Sequence, residues 1–196
     1  LLHPQARQGL EPNVREIVLE GRIDMRRSMA IGLTAAVTVA LLGAAIVSAD
    51  SGRRDMKARL SGFQEVPAIS TRGSGSLRLK VNDAGTTVSF TLSYANLEGG
   101  AVTAAHIHLA QPGVNGAPIA WLCGGGGKPA CPAAPASISG TIVAADISDA
   151  SAQGIAAGQL GEALRAMRAG VTYANVHTTA FPAGEIRGLI GGKTDR

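Results

Sequence analysis

The residues with the most chemistry in this 196-residue sequence are three histidines. His106 and His108 stand two apart in Val102–Leu109, and His177 lies in 171–178. Apolar and polar side chains alternate in both segments, which predicts β-strands whose neighbouring residues point to opposite faces. His106 and His108 then share one face, with Ile107 and Leu109 on the other. Tyr173, Asn175 and His177 likewise share a face, opposite Ala174 and Val176. If the apolar sets face the core, all three imidazoles lie on the outward or cleft-facing side. Imidazoles at i and i+2 on a strand stand roughly 6–7 Å apart, close enough to hold one metal ion. A third from an adjacent strand would complete a three-nitrogen site suited to copper or zinc. The same pattern allows a plainer use, a hydrogen-bonded polar layer that pins loops, with Asn175 and Glu185 as partners.

Other chemistry is thinner. Glu65 and Glu185 could form an acid/base carboxylate pair, but Glu185 directly precedes a strand. It is better read as capping backbone N–H groups or pairing with Arg187 or a histidine. No G-x-S-x-G nucleophile turn occurs. The glycine run at 124–127 is not a phosphate loop, because Lys128 is followed by Pro129 and no strand–helix frame surrounds it. It reads as a flexible loop. No catalytic residue is assigned, and the expectation is a non-enzymatic protein.

Charge and composition narrow the field further. Aromatic residues are 3% of the chain, and from Asp50 onward 13 Lys+Arg face 10 Asp+Glu, scattered along the sequence. With so few rings to stack on bases and no basic stripe, nucleic acid is excluded as a partner.

Near the N-terminus, Met25-Arg26-Arg27 precedes an uncharged apolar run at 30–47. Val47-Ser48-Ala49 then fits the small-x-small pattern of a signal peptidase site. The expected organisation is therefore an upstream extension of misassigned origin (1–24), a signal peptide (25–49) and a flexible mature start (50–56). A single domain (57–190) and a short tail (191–196) follow. The expected location is secreted or periplasmic, with no membrane span after cleavage; an uncleaved anchor is the alternative. In an oxidising compartment the only two cysteines, Cys123 and Cys131, are expected to form a disulfide across the glycine loop.

The elements that must position these residues are strands. The segments 57–60, 75–81, 87–94, 102–109, 118–122, 137–144, 171–178 and 185–190 recur between Gly, Pro and Asn turns. Leu77, Leu79 and Val81 can share a core face with Val88, Phe90 and Leu92 across the turn at 82–85. One helix, 159–169, interrupts the series, with Leu160, Ala163, Leu164 and Met167 at i, i+3, i+4 and i+7 and Gly170 as its left-handed cap. It is expected to cover one open end. The fold class is all-β: an antiparallel sandwich or flattened barrel with one short helix.

Five motifs in order now point to a family. They are Ser61-Gly62-Phe63-Gln64-Glu65-Val66-Pro67, Ala105-His106-Ile107-His108, Pro112-Gly113-Val114-Asn115-Gly116, Tyr173-Ala174-Asn175-Val176-His177-Thr178 and Pro182-Ala183-Gly184-Glu185-Ile186-Arg187-Gly188. The chain resembles the CHRD domain, a module first described in chordin and also found in microbial exported proteins. The resemblance implies an immunoglobulin-like or barrel-like β fold. It also marks Tyr173, Asn175, Glu65, Glu185 and Arg187 as a polar set around the histidines. Motifs gathered at strand ends without a complete catalytic set lead to the expectation of a binding or structural module of the cell envelope, with an envelope protein or small ligand as partner. A surface protein contact through a sheet edge or the glycine loop is a further alternative. A weaker similarity runs to the copper site of Cu/Zn superoxide dismutase. That enzyme needs a fourth copper histidine and a zinc site, and the mature chain has three histidines, so dismutase chemistry is not expected. A single copper or zinc ion held by the three histidines remains as the alternative.

Overall fold

The computed structural model describes residues 54–191. The expected extension (1–24), signal peptide (25–49) and most of the tail (191–196) lie outside them. Eight strands follow one another: β1 (Asp55–Ser61), β2 (Ser74–Val81), β3 (Val88–Ala95), β4 (Val102–Leu109), β5 (Ala117–Cys123), β6 (Ala136–Ile142), β7 (Thr172–Thr178) and β8 (Ile186–Leu189). They form one antiparallel sheet in the order β5-β4-β7-β8-β1-β2-β3-β6. The edge strands converge: Ala120 on β5 bridges Ile147, just past β6, and the Ser148 N–H donates to the Ile119 carbonyl at 3.0 Å. The sheet therefore curls into a nearly closed barrel, the second of the two expected forms. Among the described residues no helix is long and apolar enough to cross a membrane.

Alternation explains the interior. Across the β2–β3 hairpin Leu77 faces Leu92, Leu79 faces Phe90 and Val81 faces Val88, all buried. Each such side chain contributes about 1.5–3 kcal/mol by leaving water. The same rule corrects one boundary. The strand starts at Asp55 rather than after a flexible 50–56, because Met56 belongs to the buried set and pairs with Leu79.

The helix α1 (Leu160–Arg168) buries Leu160, Ala163, Leu164 and Met167 in the core. It stops where Gly170 turns left-handed (φ +72°). The Gly170 N–H then reaches the Met167 carbonyl at 3.1 Å and the Val171 N–H reaches Ala166 at 3.2 Å, which satisfies two terminal carbonyls. The Ala110 N–H donates to the Val171 carbonyl, so the helix sits at the barrel end where β4 finishes and β7 begins.

Two features differ from the linear reading. Lys57, Arg59, Arg78 and Lys80, scattered in sequence, come together on the outer face of β1 and β2, where Lys57 lies directly opposite Arg78. More consequentially, β7 is buried on both faces along its whole length. Its apolar face lines the barrel, and its polar face lies beneath loops.

Candidate metal centre

Strands β4 and β7 are antiparallel neighbours, the adjacency on which the sequence argument depended. His108 lies opposite Tyr173, His106 opposite Asn175 and Ala104 opposite His177. On the shared outer face the three imidazoles converge. Ring centroids are 4.7 Å apart for His106–His177, 5.3 Å for His106–His108 and 6.2 Å for His108–His177. One ring nitrogen from each falls within 4.8 Å of the others. All three side chains are buried, at 8–9% exposure. The position was expected to be outward or cleft-facing; it is on the outer face, closed over by loops.

Backbone carbonyls orient two of the rings. His108 Nδ1 lies 3.0 Å from the Gly116 carbonyl and His177 Nδ1 lies 3.0 Å from the Pro182 carbonyl. A carbonyl only accepts, so each Nδ1 carries the proton and each Nε2 keeps its lone pair. Those Nε2 atoms, with both ring nitrogens of His106, are buried and have no hydrogen-bond partner. A ligand imidazole is held this way, with one nitrogen tied to the protein and the other left for the ion. Gly116 makes the first tie possible: a Cβ there would lie 1.8 Å from the Leu109 carbonyl oxygen.

The electrostatics agree with a ligand role. Burial, aided by repulsion from the other two imidazoles, pushes His106 down to about 3. Burial also lowers His108 to about 4; the Gly116 carbonyl opposes the shift, and His177 and Arg187 add to it. His177 is lowered by burial against the pull of the Pro182 carbonyl. All three are neutral at pH 7, the form that binds metal.

Around them sits a layer of stacked and bonded groups. Tyr173 stacks on His108, with centroids 4.7 Å apart and planes 5° from parallel, and Arg187 lies 4.2 Å over the Tyr173 ring. Arg187 donates to the Asn115 side-chain oxygen at 2.7 Å and the Val114 carbonyl at 3.2 Å, while Asn115 donates to the Val66 carbonyl at 3.1 Å. Asn175 Nδ2 donates to both carboxyl oxygens of Glu65, at 3.1 and 3.2 Å. Burial raises Glu65 to about 7, against the pull of Arg187, Asn175 and the Val66 N–H.

Glu185 does not join this layer. Its carboxylate accepts from Thr71 Oγ1 and the Glu98 N–H on one oxygen, and from the Gly99 N–H and Thr178 Oγ1 on the other. It ties loops at one end of the barrel, the backbone-capping role, and pairs with neither Arg187 nor a histidine. The outward alternation puts His177 on one face of β7 and Thr178 on the other, and Glu185 follows Thr178. Glu65 and Glu185 thus have separate partners and form no carboxylate pair.

One central residue escaped the sequence argument. The Trp121 ring meets His106 edge-to-face at 3.9 Å. The glycine loop, expected to be flexible, is folded onto that indole. A Cβ on Gly125 would lie 2.3 Å from Trp121 Cζ3, and one on Gly126 would lie 2.4 Å from Cδ1. Glycine is what lets the backbone approach so closely. The loop is closed by the expected Cys123–Cys131 disulfide and pinned by Lys128, whose ammonium meets Asp146 and the Thr141 carbonyl, each at 2.9 Å. Trp121 was discoverable from its place in a strand expected beside Cys123. Gly116 and Pro182 sat in motifs to which no role had been given.

No curated protein and no solved structure matches the chain. The family model of the CHRD domain matches residues 56–190, which include every side chain of the histidine cluster and the layer around it. The chain belongs to the CHRD domain family.

Proposed function

We propose that this CHRD domain is an exported, non-enzymatic binding module whose ligand is one copper or zinc ion held by His106, His108 and His177. The observation that carries the reading is the set of buried ring nitrogens that converge within 4.8 Å without hydrogen-bond partners. A layer whose task was to pin loops would have its polar atoms paired, since each buried group left unsatisfied costs about 1–3 kcal/mol. Two Nδ1 atoms are paired in that way, and one nitrogen of each imidazole lies within 4.8 Å of the others. A metal ion would satisfy one nitrogen of each ring at once, and three neutral imidazoles are a donor set that both copper and zinc accept. Burial of the ring nitrogens favours holding an ion over turning over a substrate. The disulfide is compatible with an extracellular setting. The sheet-edge contact has less support, because β5 and β6 are bridged through Ala120 and Ile147 and the glycine loop is packed on Trp121.

Titration of the chelator-treated domain with copper and zinc salts tests the reading. Trp121, the one tryptophan in the chain, reports binding by its fluorescence. Saturation at one equivalent, abolished in His108→Ala, is the expected result. Failure of both metals to bind more tightly than about millimolar would overturn it.

A further inference from the structure

We infer that the ion is cuprous copper, Cu(I), and that Trp121, packed on His106 and clamped by the glycine loop, favours this choice by restricting the room for a fourth ligand beside that ring. The inference rests on the metal-site reading and names the ion it takes.

Three observations lead to it. The first is ligand number. Among the described residues the convergent histidine, cysteine and acidic groups are three imidazoles, with no carboxylate or thiolate. Zn(II) is held by four ligands, and a three-histidine zinc site keeps its fourth position for water. A d¹⁰ monovalent copper ion is content with three nitrogen donors.

The second is charge. Neutral imidazoles bring no negative charge to offset the ion. Glu65, the acidic residue of the surrounding layer, is bonded to Asn175 rather than to a histidine. Arg187 stands one ring away, over the Tyr173 that stacks on His108. The penalty for burying an ion rises with the square of its charge, so a divalent ion suffers about four times the penalty of a monovalent one. The neighbouring guanidinium adds repulsion in the same ratio as the charges.

The third is the indole beside His106. The indole packs against His106, the ring whose nitrogens are both without partners. Gly125 and Gly126 lie against the indole, and the disulfide and the Lys128 contacts hold their loop. Room for a water on the His106 side of the cluster would therefore require the indole and its loop to move. A tetrahedral divalent ion needs that water. Cu(I) does not, and a cation beside an electron-rich indole gains further attraction.

The test is competition titration of the full mature domain with Cu(I), under anaerobic conditions, and with Zn(II), each against a chromophoric chelator. The expected result is Cu(I) bound at least about a hundredfold more tightly than Zn(II). In Trp121→Ala the ratio should fall by at least about tenfold, as a fourth position opens. Trp121→Phe should keep most of the selectivity. Gly126→Ala, which forces the loop off the indole, should shift it in the same direction as Trp121→Ala. Circular dichroism identifies any variant that does not fold; Trp121→Phe and Gly126→Ala then carry the comparison. Zn(II) binding as tightly as Cu(I) in the wild type would overturn the inference and leave the metal reading intact. An unchanged ratio in all folded variants would remove the role of Trp121. Binding of neither ion would end both readings.

Discussion

Replacing Glu185 by Gln changes one heavy atom, an oxygen to a nitrogen, and tests the argument that this carboxylate ties the barrel end together. The side chain is fully buried and accepts four hydrogen bonds, two on each oxygen. In Glu185→Gln one oxygen remains and still serves one hydroxyl and one backbone N–H. The new NH2 group faces the other pair. There the threonine hydroxyl can rotate and accept, but the backbone N–H of Glu98 or Gly99 cannot. One buried N–H is left unpaired, at about 1–3 kcal/mol, and the surviving bonds lose their charge assistance, at about 0.5–1.5 kcal/mol each. The expected loss is about 3 kcal/mol, or roughly 10 °C in the thermal midpoint for a domain of this size. Urea unfolding of the mature domain measures it. The sign with pH follows from the same contacts. Burial alone would raise the Glu185 carboxyl, but the Glu98 N–H, the two threonine hydroxyls and the Gly99 N–H hold it below the usual carboxylate range. Its contribution is therefore present above the unfolded-state pKa and lost as pH falls through the folded one. The stability gap between wild type and Glu185→Gln should narrow in acid, with effects of other groups cancelling in the difference. A variant within about 0.5 kcal/mol of wild type at pH 7 would refute the hub.

Two further outcomes are expected. The histidines are held below their unfolded pKa, so the apo domain should lose stability as pH falls from about 6.5 toward 4, where the unfolded chain takes up protons first. Glu65, raised to about 7, acts in the opposite sense between its unfolded value and neutrality; as one group against three, it should reduce that slope, and Glu65→Gln should steepen it in denaturant titrations across this range. Mass spectrometry of the secreted form, alkylated without reductant, should find a chain beginning near Asp50 with Cys123 and Cys131 unmodified. Labelling of both cysteines would refute the disulfide, and intact upstream residues would indicate an anchor.

Much of this molecule is local, and what is local was legible. Period-two alternation in Leu77–Leu79–Val81 and Val88–Phe90–Leu92 set both the strands and their register, since a slip by one residue would turn every apolar side chain outward. The spacing of Leu160, Ala163, Leu164 and Met167 with Gly170 marked the helix and its end for the same kind of reason. The cysteine pair was readable because the two lie eight positions apart, across one loop. Alternation also placed His106 with His108, and Tyr173 and Asn175 with His177, without any knowledge of the fold.

What alternation cannot say is which loop lies over a face. Burial of the histidine face depends on loops that pack onto it: Gly116 against His108, Pro182 against His177, Glu65 brought to Asn175, and the glycine loop laid on Trp121. Three of these lie within eight residues in sequence, but period-two alternation does not describe how a loop folds back on its strand; the Glu65–Asn175 contact spans 110 residues, so no window of sequence contains it. Barrel closure also carried Glu185 away from the histidines, because its oxygens find more donors at Thr71, Glu98, Gly99 and Thr178 than the polar face offers. The sequence by itself determined which residues could gather on one side of two strands. Only the tertiary structure decided that they are buried, that two of the rings are tied at Nδ1 and leave Nε2 without a partner, and that an indole packs against His106.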